Sequence, residues 1–118
     1  FRLCGHGNGC RIENRIPGAD ANGYLALAAC LGSGLYGVEK KLEPIGPFCK
    51  GDAYQIKEAP VFALNLPDAV KRFRNSDIAR EILGDDVVEH YARIYEWECQ
   101  QYFIEVTDWE KRRYFEMA

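Results

Sequence analysis

The stretch from Cys10 to Cys30, CRIENRIPGADANGYLALAAC, constrains this chain more than any other. Its first part sets Arg11, Glu13 and Arg15 at every second position, and alternate residues of a β-strand share one face. A Pro-Gly turn follows, and small and apolar residues with helical spacing come directly after it. The sequence therefore predicts a charged strand, a turn and a helix in immediate succession.

The charged strand permits two interpretations. An arginine fork matches a carboxylate or a phosphate with two hydrogen bonds, and a carboxylate between two such forks can face a divalent cation that bridges phosphate oxygens. The structural alternative is an Arg–Glu–Arg ladder whose charges neutralise one another on the strand surface. The spacing of Arg11, Glu13 and Arg15 alone leaves both interpretations open.

Length and composition limit the number of domains and the kinds of partner that this chain can have. The chain has 118 residues, which predicts one domain or part of a larger one. A net charge of −3 argues against a nucleic-acid binder, because counterion release rewards clustered Lys and Arg. No apolar run has membrane length, so we expect no membrane partner. Five cysteines without a CxxC pair favour reduced thiols and a cytoplasmic location. The opening FRLC reads as the middle of a strand, which predicts a fragment of a longer chain.

Local signals predict the first half of the fold. Residues 1–17 look like two short strands joined by the loop GHGNG. Asn22 can cap a helix that ends at Pro44, and residues 43–66 look like a long loop. Gly32, Gly34 and Gly37 are expected to allow close approach of another backbone. The helix should carry one apolar stripe, made of Tyr24, Leu27, Ala28, Leu31, Leu35, Val38 and Leu42.

In the second half, Ser76 should cap a short helix that Gly84 stops. A longer helix begins at Asp85 or Asp86, and Thr107 caps a last one. The aromatic residues of the long helix are expected in the core: Tyr91, Tyr95, Tyr102 and Phe103. The predicted fold is α+β and mostly helical, with a two-stranded piece of a larger antiparallel sheet and about four helices packed on it.

The loop CGHGNGC raises two further alternatives. Cys4, His6 and Cys10 could be zinc ligands, but their spacing is irregular and no fourth ligand is obvious. The backbone amides of GHGNG could also cradle a phosphate, against the default of a simple hairpin loop.

The stretch RIENRIPGADANGYLALAACLGSGLYGVEKKLEP resembles the C-terminal part of the glutamine synthetase catalytic domain. In that family an Arg–x–Glu–x–Arg strand precedes a Pro-containing turn and an Asn-Pro-Tyr-Leu helix start. The later elements GDAY, HY and TDWEKRRYF are similar as well, so that the resemblance covers essentially residues 1–118. The GHG loop and the TDWE ending look closer to the glutamine synthetase-like and γ-glutamylpolyamine synthetase branch.

The resemblance implies site residues. Glu13 matches a glutamate that binds one of two Mg²⁺ or Mn²⁺ ions, and Arg15 matches the arginine that binds the substrate glutamate. Arg2 matches an arginine that reaches the ATP phosphates. Arg11 matches another that faces the nucleotide phosphates and the transferred phosphoryl group, a catalytic role. The implied reaction forms γ-glutamyl phosphate from ATP and glutamate, after which ammonia or a small amine displaces the phosphate.

The sequence also departs from the family. Gly23 stands where the family has Pro, the loop between Arg2 and Arg11 looks short, and Tyr54 lies where some members carry a regulatory adenylylated tyrosine, in different surroundings. The other metal-binding carboxylates, the adenine pocket and the N-terminal domain are missing. Family members form rings in which a neighbouring subunit completes the site. The resemblance therefore implies one wall of an active site, inactive by itself.

Two alternatives to an enzyme segment stay open. One is a non-catalytic module that retains the fold and binds a nucleotide or partner proteins. The other is a helical scaffold whose Arg–Glu–Arg ladder only pairs internally.

Overall fold

The computed structural model describes residues 1–44, 49, 51–52, 56 and 60–117. Within them the predicted α+β, mostly helical fold is confirmed. The two strands are β1 (Arg2–Cys4) and β2 (Arg11–Glu13), and the helices are α1 (Gly23–Glu39), α2 (Leu66–Arg74), α3 (Asp77–Leu83), α4 (Asp85–Ile104) and α5 (Asp108–Tyr114). The sequence reading of about four helices missed α2, which begins with Asn65 as its cap.

The two strands form an antiparallel hairpin, as predicted, with Arg2 opposite Glu13 and Cys4 opposite Arg11. Its loop depends on Gly5, whose φ is +79° and whose missing Cβ would lie 2.1 Å from the carbonyl oxygen of Gly9. The amide of Gly9 donates to the carbonyl of His6 (3.0 Å), and the amide of Cys10 donates to the carbonyl of Gly7 (3.1 Å). These amides are therefore engaged within the loop, which favours a hairpin loop over an open phosphate cradle.

Helix α1 begins as predicted and ends earlier than predicted. The Asn22 side chain accepts hydrogen bonds from the amides of Tyr24 (3.0 Å) and Leu25 (3.2 Å), which completes the cap. The helix stops at Glu39, five residues before Pro44, because Lys41 adopts a left-handed conformation with φ of 52°. Leu42 N–H then donates to Gly37 O (2.9 Å), the pattern of a Schellman motif. The assignment of the helix end to Pro44 was therefore wrong.

The remaining caps match the sequence. Ser76 accepts from the amide of Ala79 (3.1 Å) at the start of α3, and Gly84, with φ of 84°, separates α3 from α4. Thr107 forms a capping box with Glu110 at the start of α5. Each is a local signal that needs no partner from elsewhere in the chain.

The helices pack mainly against one another, α2 on α4, α1 on α3 and α3 on α4, rather than on the hairpin. Among the described residues the fully buried hydrophobic core is small and consists of Val70, Val88 and Ala92. The prediction of aromatic core residues holds only in part. Tyr91 and Tyr95 are half-buried, but Tyr102 and Phe103 are exposed.

One glycine of α1 permits a close helix contact. A Cβ on Gly32 would lie 2.2 Å from Cγ2 of Ile82, a residue of α3. The close neighbour of Gly32 is thus a side chain, whereas Gly34 and Gly37 have no described atom within 4 Å of their Cβ positions, so the expected approach of another backbone is not seen among the described residues. An ion pair between Lys40 and Glu81 (2.6 Å) joins the same two helices. Helices α1 and α3 are therefore fastened at two points.

Two arginines connect α2, α3 and α4. The guanidinium of Arg80 contacts the carboxylates of Asp85 and Glu89, each at 2.6 Å, and donates to the carbonyl of Arg74 at 2.7 Å. Arg74 itself pairs with Glu89 (3.3 Å) and Glu96. The hydrogen bond from Arg80, the largest contribution, holds the pKa of Glu89 below its ordinary value. These contacts fix the order and spacing of the three helices.

The predicted apolar stripe of α1 exists, but it faces outward. Its large members are all exposed by 60% or more: Tyr24, Leu27, Leu31, Leu35, Val38 and Leu42. The chain is also extended, with a radius of gyration of 18.8 Å, whereas a compact domain of this length has about 13–14 Å. An apolar helix face of this length left open is typical of a segment that packs against further protein. No helix among the described residues is both long and apolar enough to cross a membrane.

Candidate active site

One face of the hairpin carries the charges. Residues paired across an antiparallel ribbon point to the same side, so the register places Arg2, Cys4, Arg11 and Glu13 together. The opposite face is apolar and consists of the pair Leu3 and Ile12, both exposed. The alternation that the sequence predicted is therefore confirmed for Arg11 and Glu13, but it is wrong for Arg15, because β2 ends at Glu13 and Arg15 lies beyond the strand. The structure adds two members to the charged face from β1.

Glu13 lies at the centre of this face. Arg2 Nε approaches Glu13 Oε2 at 2.6 Å, and Arg15 Nε approaches Oε1 at 3.8 Å. The thiol of Cys4 lies 3.6 Å from Oε2, within reach of a weak hydrogen bond. Both oxygens of the carboxylate thus have cationic or donor neighbours. The arrangement is an Arg–Glu–Arg cluster, built from both strands rather than from the RIENR segment alone.

The surroundings of Glu13 keep it ionised. Partial loss of hydration is the largest effect and raises its pKa. The positive charges of Arg2 and Arg15 and the hydrogen bond from Cys4 together outweigh it, and the pKa of Glu13 falls below its ordinary value. The pKa of Arg2 is raised, first by its hydrogen bond to Cys4 and then by Glu13. The site therefore presents an anionic carboxylate at neutral pH.

Arg11 is on the charged face but does not contact Glu13. Its Nη1 donates to the carbonyl of Gly9 at 3.3 Å, which ties the guanidinium to the hairpin loop. Arg11 and Arg15 are both exposed. Of the four site residues taken from the resemblance, the structure brings Arg2, Glu13 and Arg15 together and leaves Arg11 beside them.

The residues suit a divalent cation of the hard class. A carboxylate oxygen is a ligand that Mg²⁺ and Mn²⁺ prefer, and Mg²⁺ is commonly bound by one or two carboxylates together with phosphate oxygens. Glu13 carries the carboxylate of this type on the charged face. In the part of the chain that the structure describes, no three His, Cys, Asp or Glu side chains cluster closely enough to hold a metal ion. Cys4, His6 and Cys10 therefore do not assemble as zinc ligands.

Sequence reasoning missed two side chains around this site. Cys4 was considered only for zinc, yet its sulfur accepts from Arg2 Nε at 3.2 Å and reaches Glu13. Its position two residues after Arg2 was the available signal, because it places both on one strand face. Asn14 was not considered, although its side chain contacts Cys30 of α1 at 3.0 Å. That contact spans 16 positions, and no local pattern indicates it. Tyr54, considered for modification, lies outside the described residues.

Comparison with known proteins gives consistent matches. The family model of the glutamine synthetase catalytic domain matches residues 2–114. The glutamate–isopropylamine ligase of a Pseudomonas species is 46% identical over 94% of this chain and 24% of the relative. The γ-glutamylethanolamide synthetase GlnA4 of Streptomyces coelicolor is 44% identical over 98% of this chain and 25% of the relative. A glutamine synthetase of Methanosarcina mazei is 35% identical over 94% of this chain and 26% of the relative.

The chain spans about a quarter of the length of these curated relatives. The match runs from the first strand of the hairpin to the end of α5, so it includes the charged face and every described helix. On this match, the chain belongs to the glutamine synthetase catalytic-domain family.

Proposed function

We propose that this chain is the C-terminal segment of a catalytic domain that joins glutamate to an amine at the expense of ATP. The domain would phosphorylate the side-chain carboxylate of glutamate and let the amine displace the phosphate. The observation that carries the proposal is the cluster of Arg2, Glu13 and Arg15 on one hairpin face. A carboxylate set among arginines suits a reaction in which phosphoryl charge must be bound and neutralised.

Each residue has a proposed role. Glu13 holds a Mg²⁺ or Mn²⁺ ion, which when bound neutralises phosphate charge. Arg15 binds the carboxylate of the substrate glutamate, for which its planar fork is suited. Arg2 and Arg11 bind the ATP phosphates, and Arg11 also faces the transferred phosphoryl group. The loop carbonyl that holds Arg11 would orient it toward that position.

The acceptor we propose is a small primary amine rather than ammonia. Two of the relatives, at 46% and 44% identity, are named for isopropylamine and ethanolamide chemistry, whereas glutamine synthetases of Methanosarcina mazei and Methanococcus maripaludis are 35% and 33% identical. A glutamate–methylamine ligase is likewise 33% identical, so the two matches above 40% carry this proposal. Ammonia is the alternative acceptor. Among the described residues we assign no pocket to either acceptor.

The rest of the site would come from outside this segment. The chain spans about a quarter of its relatives, the α1 stripe is exposed, and only one metal-ligand carboxylate lies on the charged face. We propose that the preceding part of the same chain supplies the remaining ligands and covers α1. A ring-shaped homo-oligomer, in which a neighbour completes each site, is the proposed assembly. The five free cysteines of this chain suit a reducing compartment, and we propose that the enzyme is cytoplasmic.

The experiment is a γ-glutamyl transfer assay. This segment and the full-length enzyme are incubated side by side with ATP, Mg²⁺, glutamate and a panel of ammonia, methylamine, ethanolamine and isopropylamine. Product is detected by mass, and ADP release is measured in parallel. We expect product from the full-length enzyme only, with an alkylamine or ethanolamine preferred. Full-length protein that is folded yet forms no product with any acceptor would favour a non-catalytic module, and turnover by the segment alone would refute its assignment as a partial site.

A further inference from the structure

We propose that Asn14 is a positioning residue that fixes Arg15 by fastening the end of β2 to helix α1. This inference rests on the proposed function, in which Arg15 binds the substrate glutamate. Asn14 stands between Glu13 and Arg15 in the sequence, but its contacts lie elsewhere. Its side chain is occupied at both ends, by the backbone after Arg15 and by a residue of α1.

The first contact is local. Asn14 Oδ1 accepts a hydrogen bond from the amide of Ile16 at 3.1 Å. This bond closes an Asx turn over Arg15, because the side chain of one residue binds the backbone two residues later. The backbone of Arg15 is thereby held within a closed ring. A residue without a side-chain acceptor at position 14 leaves that backbone open.

The second contact is distant in sequence. Asn14 Nδ2 donates to Cys30 Sγ at 3.0 Å, and Cys30 lies in the middle of α1. The NH₂ group of an asparagine side chain donates hydrogen bonds and its oxygen accepts them, so both contacts of Asn14 match the chemistry of its side chain. The contact joins the strand that carries Glu13 to a helix that packs on another part of the chain.

Helix α1 can serve as a fixed reference for the strand. It is capped by Asn22, packs through Gly32 on Ile82, and pairs through Lys40 with Glu81. The strand end has little other support, since Arg15 is exposed and its pairing with Glu13 is loose at 3.8 Å. The clamp at Asn14 therefore sets the direction in which the Arg15 side chain leaves the backbone.

The inference separates two effects on the enzyme. Loosening of the Arg15 backbone should weaken glutamate binding, because a two-bond fork tolerates little change in direction. ATP binding depends on Arg2 and Arg11, which the clamp does not touch. A rise in the KM for glutamate without a rise in the KM for ATP is therefore the result that a positioning role for Asn14 predicts.

The experiment uses the full-length enzyme with three variants and one control. Asn14→Ala removes both contacts, whereas Asn14→Ser retains an acceptor for the amide of Ile16 and is too short to reach Cys30. Cys30→Ala removes the other partner of the clamp. The control, Asn75→Ala, removes a different asparagine side chain, which donates to the carbonyl of Lys71 at 2.8 Å in α2. Steady-state KM values for glutamate and ATP are measured together with Tm.

We expect Asn14→Ala to raise the KM for glutamate about 5- to 10-fold, the scale of one or two lost hydrogen bonds, with the KM for ATP within about twofold. Asn14→Ser and Cys30→Ala should each raise the KM for glutamate by a smaller factor. The double variant should be no worse than either single variant, because both substitutions remove the same contact between Asn14 and Cys30. Asn75→Ala should leave both KM values unchanged. If Asn14→Ala is poorly folded by Tm, Asn14→Ser and Cys30→Ala carry the comparison.

Other outcomes overturn the inference. An unchanged KM for glutamate in Asn14→Ala, a parallel rise in both KM values, or additive effects of Asn14→Ser and Cys30→Ala each contradict a clamp on Arg15. Wild-type enzyme without ATP-dependent activity would refute the proposed function and this inference with it. An active wild type with unaffected Asn14 variants would refute this inference alone.

Discussion

The guanidinium of Arg2 and the carboxylate of Glu13 form an ion pair across the hairpin, with Nε 2.6 Å from Oε2. The two residues are also direct partners in the strand register. The group that we propose as the metal ligand is therefore held by a cation of the same chain. A divalent cation that bound Oε2 of Glu13 would compete with this partner, and a released guanidinium would become available to a phosphate oxygen. Metal and nucleotide binding should consequently support each other.

Substitution of the proposed ligand tests the metal site. Glu13→Gln keeps the shape of the side chain and removes its charge, so we expect Mn²⁺ affinity of the full-length enzyme to fall by more than about 100-fold, beyond the loss typical of residues that only support a ligand. Activity should fall with it. Calorimetric titration with Mn²⁺ measures the effect. Glu116→Gln, which alters another exposed glutamate, should change nothing, and normal metal dependence in Glu13→Gln would contradict the assignment.

The pKa of Glu13 tests the Arg2 contact. Because this pKa is lowered in the folded chain, the associated stability is present above the unfolded value of about 4.3 and is lost as pH falls through the lower folded value. Arg2→Ala removes the strongest charge that lowers it, and we expect the carboxyl titration, followed by NMR, to move upward. Arg11→Ala is the matched control, since Arg11 binds the loop carbonyl instead. Equal shifts in both variants would refute the specific pairing.

Replacement of Arg15 by lysine tests the substrate role. Lysine keeps the charge and loses the planar fork, so the KM for glutamate should rise about 10- to 100-fold, the range for hydrogen bonds to charged groups. The KM for ATP should stay near that of the wild type. Steady-state kinetics of the full-length enzyme provide the measurement. An unchanged glutamate dependence would remove Arg15 from the site.

The contact between α1 and α3 can be tested on stability. Gly32→Ala places a methyl group 2.2 Å from Cγ2 of Ile82, and such overpacking costs about 1–3 kcal/mol. Gly34→Ala is the control on the same helix, because its Cβ would meet no described atom. We expect this substitution to raise the free energy of unfolding by up to about 1 kcal/mol, since alanine favours the helix. Urea denaturation of both variants compares them. Equal stabilities would show that the two helices do not pack as described.

The open face of α1 predicts self-association of the isolated segment. Exposed apolar surface of this extent is buried wherever a partner is available. Leu27→Glu, which places a charge in the stripe, should restore a monomer, whereas Gln100→Glu, which adds the same charge to an exposed position of α4, should not. Sedimentation from micromolar to millimolar concentration gives the answer. A monomeric wild-type segment throughout that range would contradict the prediction.

The features that the sequence predicted are the local ones. Asn22, Ser76 and Thr107 each cap a helix with their own side chain, so their role is contained within a few residues. Alternation of Arg11 and Glu13 likewise needs only the geometry of a strand, whereas the end of β2 at Glu13, before Arg15, was not predicted. The family resemblance supplied the proposed roles of the site residues, since spacing alone left a functional cluster and an internal ladder both open.

The features that were missed depend on other parts of the chain or on unusual backbone. Helix α2 carries the basic run KRFR, which is typical of a solvated helix face, but no helix bounds were assigned to it because its N-cap Asn65 lies in the stretch 43–66, whose Pro and Gly residues suggested a loop. The end of α1 depends on a left-handed Lys41, a conformation that the sequence does not indicate for lysine. Contacts such as Asn14 with Cys30 arise only after α1 has docked.

The pairing of Arg2 with Glu13 makes the hairpin register part of the chemistry. Side chains of a strand change face at each step, so a slip of one residue would exchange Glu13 for Ile12 on the charged side. The tight turn at Gly5, where a Cβ would overlap the carbonyl of Gly9, holds the register in place. An insertion in this loop would preserve the charged face only if the extra residues bulged outward and left the cross-strand partners unchanged. The loop residues thus determine which side chains meet on the charged face, although no loop residue is assigned a chemical step.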